Sequence, residues 1–423
     1  MDRRTFAGAG ARARRTGFAA VVVLACGVLP AHAKTQKPVT LNDAITRAVS
    51  AGFALPAARA RYEGAEAGVR QAGRYLNPSI GVESENFAGS GPYQALNQPE
   101  TTLYLQQTIE LGDKRAARTG VARSEAETTR ARSAVQVLDL MREVELAWIE
   151  VLVAAAQQRV AEERLSIAQQ FQSEISRRAD AGRDPLYTQS RAEAQVALEQ
   201  IAVDQARAAA RIARANLAGY WRGGADYAVD LNAFENAAAT NDGNPISVDV
   251  ALLEAERQLA ASRVSLERSK AVQDPAVRVG VRHFADTNDT ALVAGIAIPL
   301  PLFDTNKDNI EKAEAERRAA ELDVETARLT LRRELTRLQS RLVASATEAR
   351  RIQREVIPKA EQAVQLIRDG MDRGAFSYIE FIDAQRTLND ARLRRIEALR
   401  AFYQDNAMVA RLTGRHSRLN IKG

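Results

Sequence analysis

The sequence predicts a mainly α chain with a transmembrane β part, built as two repeats of helix, β-hairpin and long helical hairpin. Three observations carry that prediction. Two long stretches, 114–180 and 307–369, keep the apolar spacing of a helix with hardly a breaker inside them. Before each lies a segment in which apolar and polar residues alternate at period two. Landmarks also recur at nearly constant offset: residues 182–192 fall on 374–384 (374 − 182 = 192), and Asn77-Pro78 falls on Asp274-Pro275 (274 − 77 = 197). Two similar offsets at separated places mark an internal duplication.

Composition narrows the function classes. The 423 residues are 46% hydrophobic but only 5% aromatic, which suits long helices better than a compact α/β enzyme. The net charge of +6 (59 basic, 53 acidic) is concentrated at the N-terminus, where residues 1–33 hold five Arg and one Asp. The remaining 54 basic and 52 acidic residues leave +2, which is not the balance of a nucleic-acid binder.

The N-terminus reads as a bacterial secretory signal over residues 1–33. Arg3, Arg4, Arg12, Arg14 and Arg15 precede an apolar run over 18–29, and Ala31-His32-Ala33 supplies a cleavage pattern. Cys26 follows Val23-Leu24-Ala25 and offers a lipidation alternative, although leucine stands one place later than a lipobox prefers. Cleavage after Ala33 removes the only cysteine and leaves two histidines, His283 and His416, so no disulfide, no clustered metal ligands and no cofactor site are expected. No second apolar run reaches the length of a membrane-spanning helix, so a membrane would have to be crossed as a β-barrel.

Along the chain, residues 34–240 form the first expected repeat and 241–423 the second. An Ala-rich helix is expected over 41–75, starting near Asn42 or Asp43, with Pro56 marking a kink or a break. Ile80 and Val82 alternate with Gly81 and Glu83, and Leu103 and Leu105 with Tyr104 and Gln106, predicting strands at about 79–87 and 101–109. Each is close to the ~9 to 11 residues of a tilted membrane-spanning strand. A small soluble sheet with one buried face shares this alternation. The 114–180 rod would be about 100 Å long at ~1.5 Å per residue. Val137, Met141, Val144, Trp148 and Val151 make its heptad seam. Gly182-Arg183-Asp184-Pro185 breaks it at a tip near 180–186, and the return runs to about Tyr220. A polar linker over 236–245 and a helix over 248–271 lead to strands at about 276–284 and 290–298. The second rod carries Leu331, Leu335, Leu338 and Leu342, bends at Pro358, turns near 369–376 between Gly370 and Gly374, and returns to about Thr413. Four strands cannot close a barrel, so a symmetric oligomer is expected to pool them.

The chain resembles the TolC-type outer-membrane factors. The residues 76–87 (LNPSIGVESENF), 89–93 (GSGPY) and 107–115 (QTIELGDKR) are similar to the branch that exports divalent cations such as cobalt, zinc and cadmium, which usually has glycine where Asp113 stands. The resemblance implies a homotrimer with a twelve-stranded barrel in the outer membrane of a Gram-negative bacterium, continued by a twelve-helix tunnel through the periplasm. It implies a passive conduit without catalysis, working with a periplasmic adaptor and an inner-membrane RND-type pump. The same fold also exports drugs or proteins. A periplasmic adaptor is a different class with a long hairpin, but adaptors usually carry one hairpin, flanked by soluble β domains.

The resemblance also implies a selectivity ring at the second tip, where matching on Gly374 and Ala384 gives Glu380 and Asp383. Without the family, two acids near a helix start read as solvated residues favoured by the helix dipole. The family's latch tyrosine and arginine fall on Met371 and Phe376, so that latch does not carry over; Arg368, Asp369, Asp372 and Arg373 stand as replacement ion pairs or as surface charges. Gly182, Asp184, Pro185, Gly370 and Gly374 mark the tips expected to face the adaptor. Arg177, Arg178, Asp180 and Arg183 at the first tip are open to the same two readings, His283 reads as an interfacial residue, and Trp148 and Trp221 read as packing residues.

Overall fold

Helix α1 (Leu41–Ala51) starts on a capping box in which the Asp43 backbone N–H donates to Thr40 Oγ1 at 3.2 Å and Thr40 N–H donates to Asp43 Oδ2 at 3.1 Å. The cap is thus Thr40, with Asp43 as its third helical residue. The computed structural model describes residues 38–94, 98–236 and 247–418. The expected signal segment 1–33, with Cys26, lies outside the described residues, as does all of the expected linker over 236–245 except Asn236.

The expected kink or break is not at Pro56 itself. Gly52 ends α1, and Pro56 sits in the first turn of α2 (Ala54–Ala72), where its missing N–H would have had no helical partner anyway. The first rod, α3 (Lys114–Asp180), has 67 residues without interruption, and α4 (Leu186–Gly219) returns antiparallel to it. A four-residue turn of helix, α5 (Asn232–Glu235), and α6 (Val248–Lys270) follow. The second rod is α7 (Lys307–Arg351), a π-helical turn (Ile352–Val356) and α8 (Ile357–Asp372), with α9 (Tyr378–Leu412) returning. Pro358 stands just after the π turn. Widening the turn before it relieves the clash of its ring with the preceding carbonyls, so the rod continues.

The core runs as strips along the rods. Ala44, Ile45, Ala48 and Val49 of α1 pack on Leu138, Met141, Val144 and Val151 of α3 and on Leu217 of α4, with Trp148 and Trp221 against the same cluster. Three of the five predicted seam residues, Met141, Val144 and Val151, are therefore fully buried. Phe234 of α5 fills the gap between Ile149 and Leu152 of α3 and Ile396 and Leu399 of α9. Arg411 of α9 ties three helices together: its guanidinium binds both carboxylate oxygens of Asp249 on α6 and donates at 2.8 Å to Asp139 on α3. These bonds hold its pKa above the ordinary arginine range. The sequence-derived histidine His416 places a ring nitrogen 2.9 Å from Glu145, both nearly buried.

The strands β1 (Ser79–Glu85), β2 (Glu100–Thr108), β3 (Ala276–Phe284) and β4 (Asp289–Ala297) form one antiparallel sheet in the order β1-β2-β3-β4. The two hairpins thus pair with each other through β2 and β3, with Leu103 opposite Val281 and Leu105 opposite Val279. Each outer strand, β1 and β4, has one neighbour among the described residues.

Candidate functional site

The two tips are built alike. At the first, the C-terminus of α3 closes through Gly182 at φ +69, and Arg183 N–H donates to Arg178 O at 2.9 Å. At the second, Gly374 takes φ +75 and Ala375 N–H donates to Gly370 O at 2.9 Å. Both are six-residue closures that need a left-handed residue, which glycine adopts without strain. Pro185, with extended backbone, then starts α4, and Asp184 is bound by the Arg178 guanidinium at 2.8 Å. The same guanidinium donates to the Met371 carbonyl of the second tip at 3.4 Å, so Arg178 joins the two hairpins.

An aromatic stack fastens the tips just above this bond. Phe171 of α3 lies between Tyr378 and Phe381 of α9, with ring centroids at 5.0 and 4.5 Å and planes within 15° and 14°. Met371, one of the two positions where the resemblance places latch residues, is buried against this cluster. Phe376, the other, lies over Gly370: a Cβ there would approach its ring to 2.3 Å, so the glycine leaves room for the ring. Asp369 accepts from Gln365 at 2.8 Å, and Arg373 donates to the Asp369 carbonyl at 3.2 Å, a helix-end contact. Among the described residues Arg368, Asp369 and Arg373 form no ion pairs, and the side chain of Asp372 lies outside them.

Glu380 and Asp383 are both exposed in the protomer and lie one turn apart on α9. Glu380 has a local task as well. It is the third residue of a capping box, accepting from Ser377 N–H at 2.7 Å and from Ser377 Oγ at 3.0 Å. These two bonds, with the backbone one dominant, hold its carboxyl below the ordinary value of 4.5. The Ser377-x-x-Glu380 spacing carries this cap in plain sight in the sequence, yet sequence reasoning read the residue as a ring member or a dipole-favoured surface acid and not as a cap.

The sheet has one apolar and one charged face. Register places Ile80 and Val82, Leu103 and Leu105, Val279 and Val281, and Leu292 in adjacent columns on one side, all exposed. His283 is on that side too, paired with Thr101 and Thr290 near the loop end. The opposite side carries ion pairs that sequence reasoning missed. Arg282 of β3 donates to Glu100 at 2.8 Å and reaches across β2 to Glu85 of β1 at 2.6 Å, while Arg278 pairs with Glu83 at 3.4 Å. Exposed apolar columns on one side and ionised groups on the other are what lipid outside and water inside require.

A family model described as outer membrane efflux protein matches residues 44–222 and again 247–415. The chain belongs to the outer membrane efflux protein family. Its sequence is 29% identical over 391 residues to the cobalt-zinc-cadmium resistance protein CzcC of Cupriavidus metallidurans, covering 89% of this chain and 90% of that one. It is 26% identical over 318 residues to the nickel-cobalt-cadmium resistance protein NccC of Alcaligenes xylosoxydans xylosoxydans, covering 73% and 71%. Among solved structures, the outer membrane protein VceC of Vibrio cholerae shares the fold with a TM-score of 0.69 at 20% identity, over 88% of this chain and 96% of that one. CusC shares it with a TM-score of 0.73 at 16% identity, over 89% and 93%.

As an outer membrane efflux protein, the chain resides in the outer membrane, and efflux rather than catalysis is the activity of its family. Asp113 precedes the first rod with a positive φ. At φ 58 it occupies the left-handed region that glycine favours and aspartate tolerates, and Asn306 at φ 58 does the same at the start of the second rod.

Proposed function

We propose that three copies of this outer membrane efflux protein form a passive export conduit for divalent heavy-metal cations. The single observation that carries the cargo is the similarity to the cobalt-zinc-cadmium resistance protein across about nine-tenths of both chains. The trimer is supported by the sheet: among the described residues its four strands leave two unpaired edges, with an apolar face and a charged face, so three sheets (3 × 4) would close a twelve-stranded barrel. The rods would continue it as a twelve-helix tunnel. Residues 34–240 and 241–423 are the two repeats of this design, and the paired family matches at 44–222 and 247–415 support the division.

The tips at Gly182, Asp184 and Pro185 and at Gly370 and Gly374 would face a periplasmic adaptor, which couples the conduit to an inner-membrane RND-type pump. Their distance from the sheet, at the far ends of rods of 67 and 45 residues plus α8, supports that orientation. Glu380 and Asp383 would form two stacked rings of three carboxylates, favouring cations in the pore. Their joint exposure on one face of α9 supports the ring. Arg178, bridging Asp184 and the Met371 carbonyl, takes the latch position that Met371 and Phe376 leave empty of charge.

The test is removal of the gene from its host. Cells should become sensitive to cobalt, zinc and cadmium salts and accumulate these ions, with tolerance of hydrophobic drugs unchanged. Sensitivity to drugs without any change in metal accumulation would assign the fold a different cargo.

A further inference from the structure

Beneath the apolar face of the sheet, where the strands give way to helices, lies a cleft of about 870 Å³. Its wall includes Gln107, Ile109 and Leu111, which continue the lipid-side column of Leu103 and Leu105 at period two. Gln107, whose amide donates to the Leu76 and Thr108 carbonyls, interrupts the apolar rows, and the exposed Ile109 and Leu111 resume them just past the end of β2. At the same level on the other edge of the sheet, Leu300, Leu302 and Phe303 follow β4 and are strongly exposed, Phe303 completely.

The charges on the cleft wall and just behind it fall into two groups. Lys114 is paired with Asp274 at 2.7 Å, and Arg118 holds Glu110 while donating to the Ala72 and Arg74 carbonyls at the end of α2. These are structural ties between the strand exit and the two helices. Arg115 and Arg123 form no ion pair among the described residues. The Arg115 guanidinium stacks 3.7 Å from the centroid of the Tyr75 ring, itself three-quarters exposed. Stacking fixes the plane of the cation and leaves its N–H edges free to bind an oxyanion. Against these two free cations stands one free carboxylate, Asp113, on the cleft wall. The balance of one positive charge matches the single negative charge of a phosphodiester.

We propose that this cleft binds the headgroup of an anionic phospholipid of the periplasmic leaflet, with Arg115 and Arg123 on the phosphate and Leu105, Ile109 and Leu111 along an acyl chain. The inference rests on the reading of the apolar sheet face as the outside of a membrane barrel. A free phosphate would use the same guanidinium groups but would gain nothing from the apolar side chains, which is why a lipid is the favoured source. The site lies at the border where a barrel leaves the hydrocarbon, the depth at which cationic and aromatic side chains meet headgroups.

Native mass spectrometry of the full-length protein in detergent, titrated with phosphatidylglycerol, tests the proposal. The wild type should retain phosphatidylglycerol adducts, and Arg115→Ser/Arg123→Ser should lower the bound fraction about tenfold or more at equal lipid, as expected for two lost charge-assisted bonds. Arg115→Lys should keep part of the binding because it retains the charge but not the fork. Phosphatidylcholine should bind markedly less than phosphatidylglycerol. Equal phosphatidylglycerol binding by wild type and the serine double variant would overturn the proposal. So would equal binding of the two lipids, or displacement of phosphatidylglycerol by equimolar inorganic phosphate, which would make the site one for free anions. The same spectra report the oligomer mass, so failure to form a trimer is read separately from failure to bind lipid.

Discussion

Phe171→Ala should loosen the hairpin tips far more than any surface change there. The ring is 6% exposed and is stacked on two partners from α9, at 4.5 and 5.0 Å. Truncating a buried phenylalanine costs about 3–5 kcal/mol, of which two aromatic stacks account for about 1–3 kcal/mol. Phe171→Leu keeps most of the volume, so its cost should be nearer the stacking share alone. Because Cys26 precedes the expected cleavage site, a single reporter thiol can be placed at Ala192, which is 2% exposed in the same cluster. Labelling of Ala192→Cys by a soluble thiol reagent then reads the opening of the tip. At about 1.4 kcal/mol per decade, Phe171→Ala should speed labelling by roughly two to three orders of magnitude, and Phe171→Leu by about one. Equal labelling rates in wild type and Phe171→Ala would refute the idea that this stack fastens the two hairpins.

Ser377→Ala removes the side-chain half of the second tip's capping box and should destabilise the start of α9 by about 0.5–2 kcal/mol, seen as faster hydrogen exchange over 378–382. Glu380→Gln keeps an acceptor at the third position and should leave that exchange nearly unchanged, whereas Glu380→Ala should raise it. The pH dependence follows the same bonds. The folded-state pKa of Glu380 is depressed, so its cap contribution is complete above 4.5 and is lost only as pH falls through the lower folded value; exchange over 378–382 should be flat from pH 7 to 5 after correction for intrinsic rates. Arg411→Leu strips Asp249 and Asp139 of their shared partner and should cost about 1–3 kcal/mol, discounted because both carboxylates are partly exposed; a thermal melt of the detergent-solubilised protein should show the loss. N-terminal mass spectrometry of the membrane-extracted protein should find Lys34 as the first residue, unacylated.

The long elements were legible because they are periodic and nearly free of breakers. The rod over 114–180 and the strand over 276–284 are found where apolar spacing puts them, and the other strands differ by one or two residues, since strand ends depend on pairing partners. The break at Gly52 was hidden behind Pro56, the stronger signal in a single sequence, although proline is harmless in a first turn. The π turn before Pro358 is a local accommodation that spacing alone does not encode. Glu83, Glu85, Arg278 and Arg282 stand at period two on their strands, so their shared face was readable. Which carboxylate each arginine meets was not, because Arg282 crosses β2 to reach Glu85 and only the register sets that distance. At the tips, Gly182 and Gly374 announced themselves. The Arg178 bond to the Met371 carbonyl joins residues 193 positions apart and has no local signature.

The central claim, a trimeric cation conduit with carboxylates at its tip, is tested most directly by reversal potentials of single channels in a planar bilayer under a salt gradient. Wild-type protein should conduct as a trimer with a clear preference for cations, and Glu380→Gln/Asp383→Asn, which keeps a capping acceptor at position 380, should shift the reversal potential toward zero while the channel still assembles. An unchanged reversal potential in the double variant would contradict the ring, and a wild type that neither trimerises nor conducts would contradict the conduit itself.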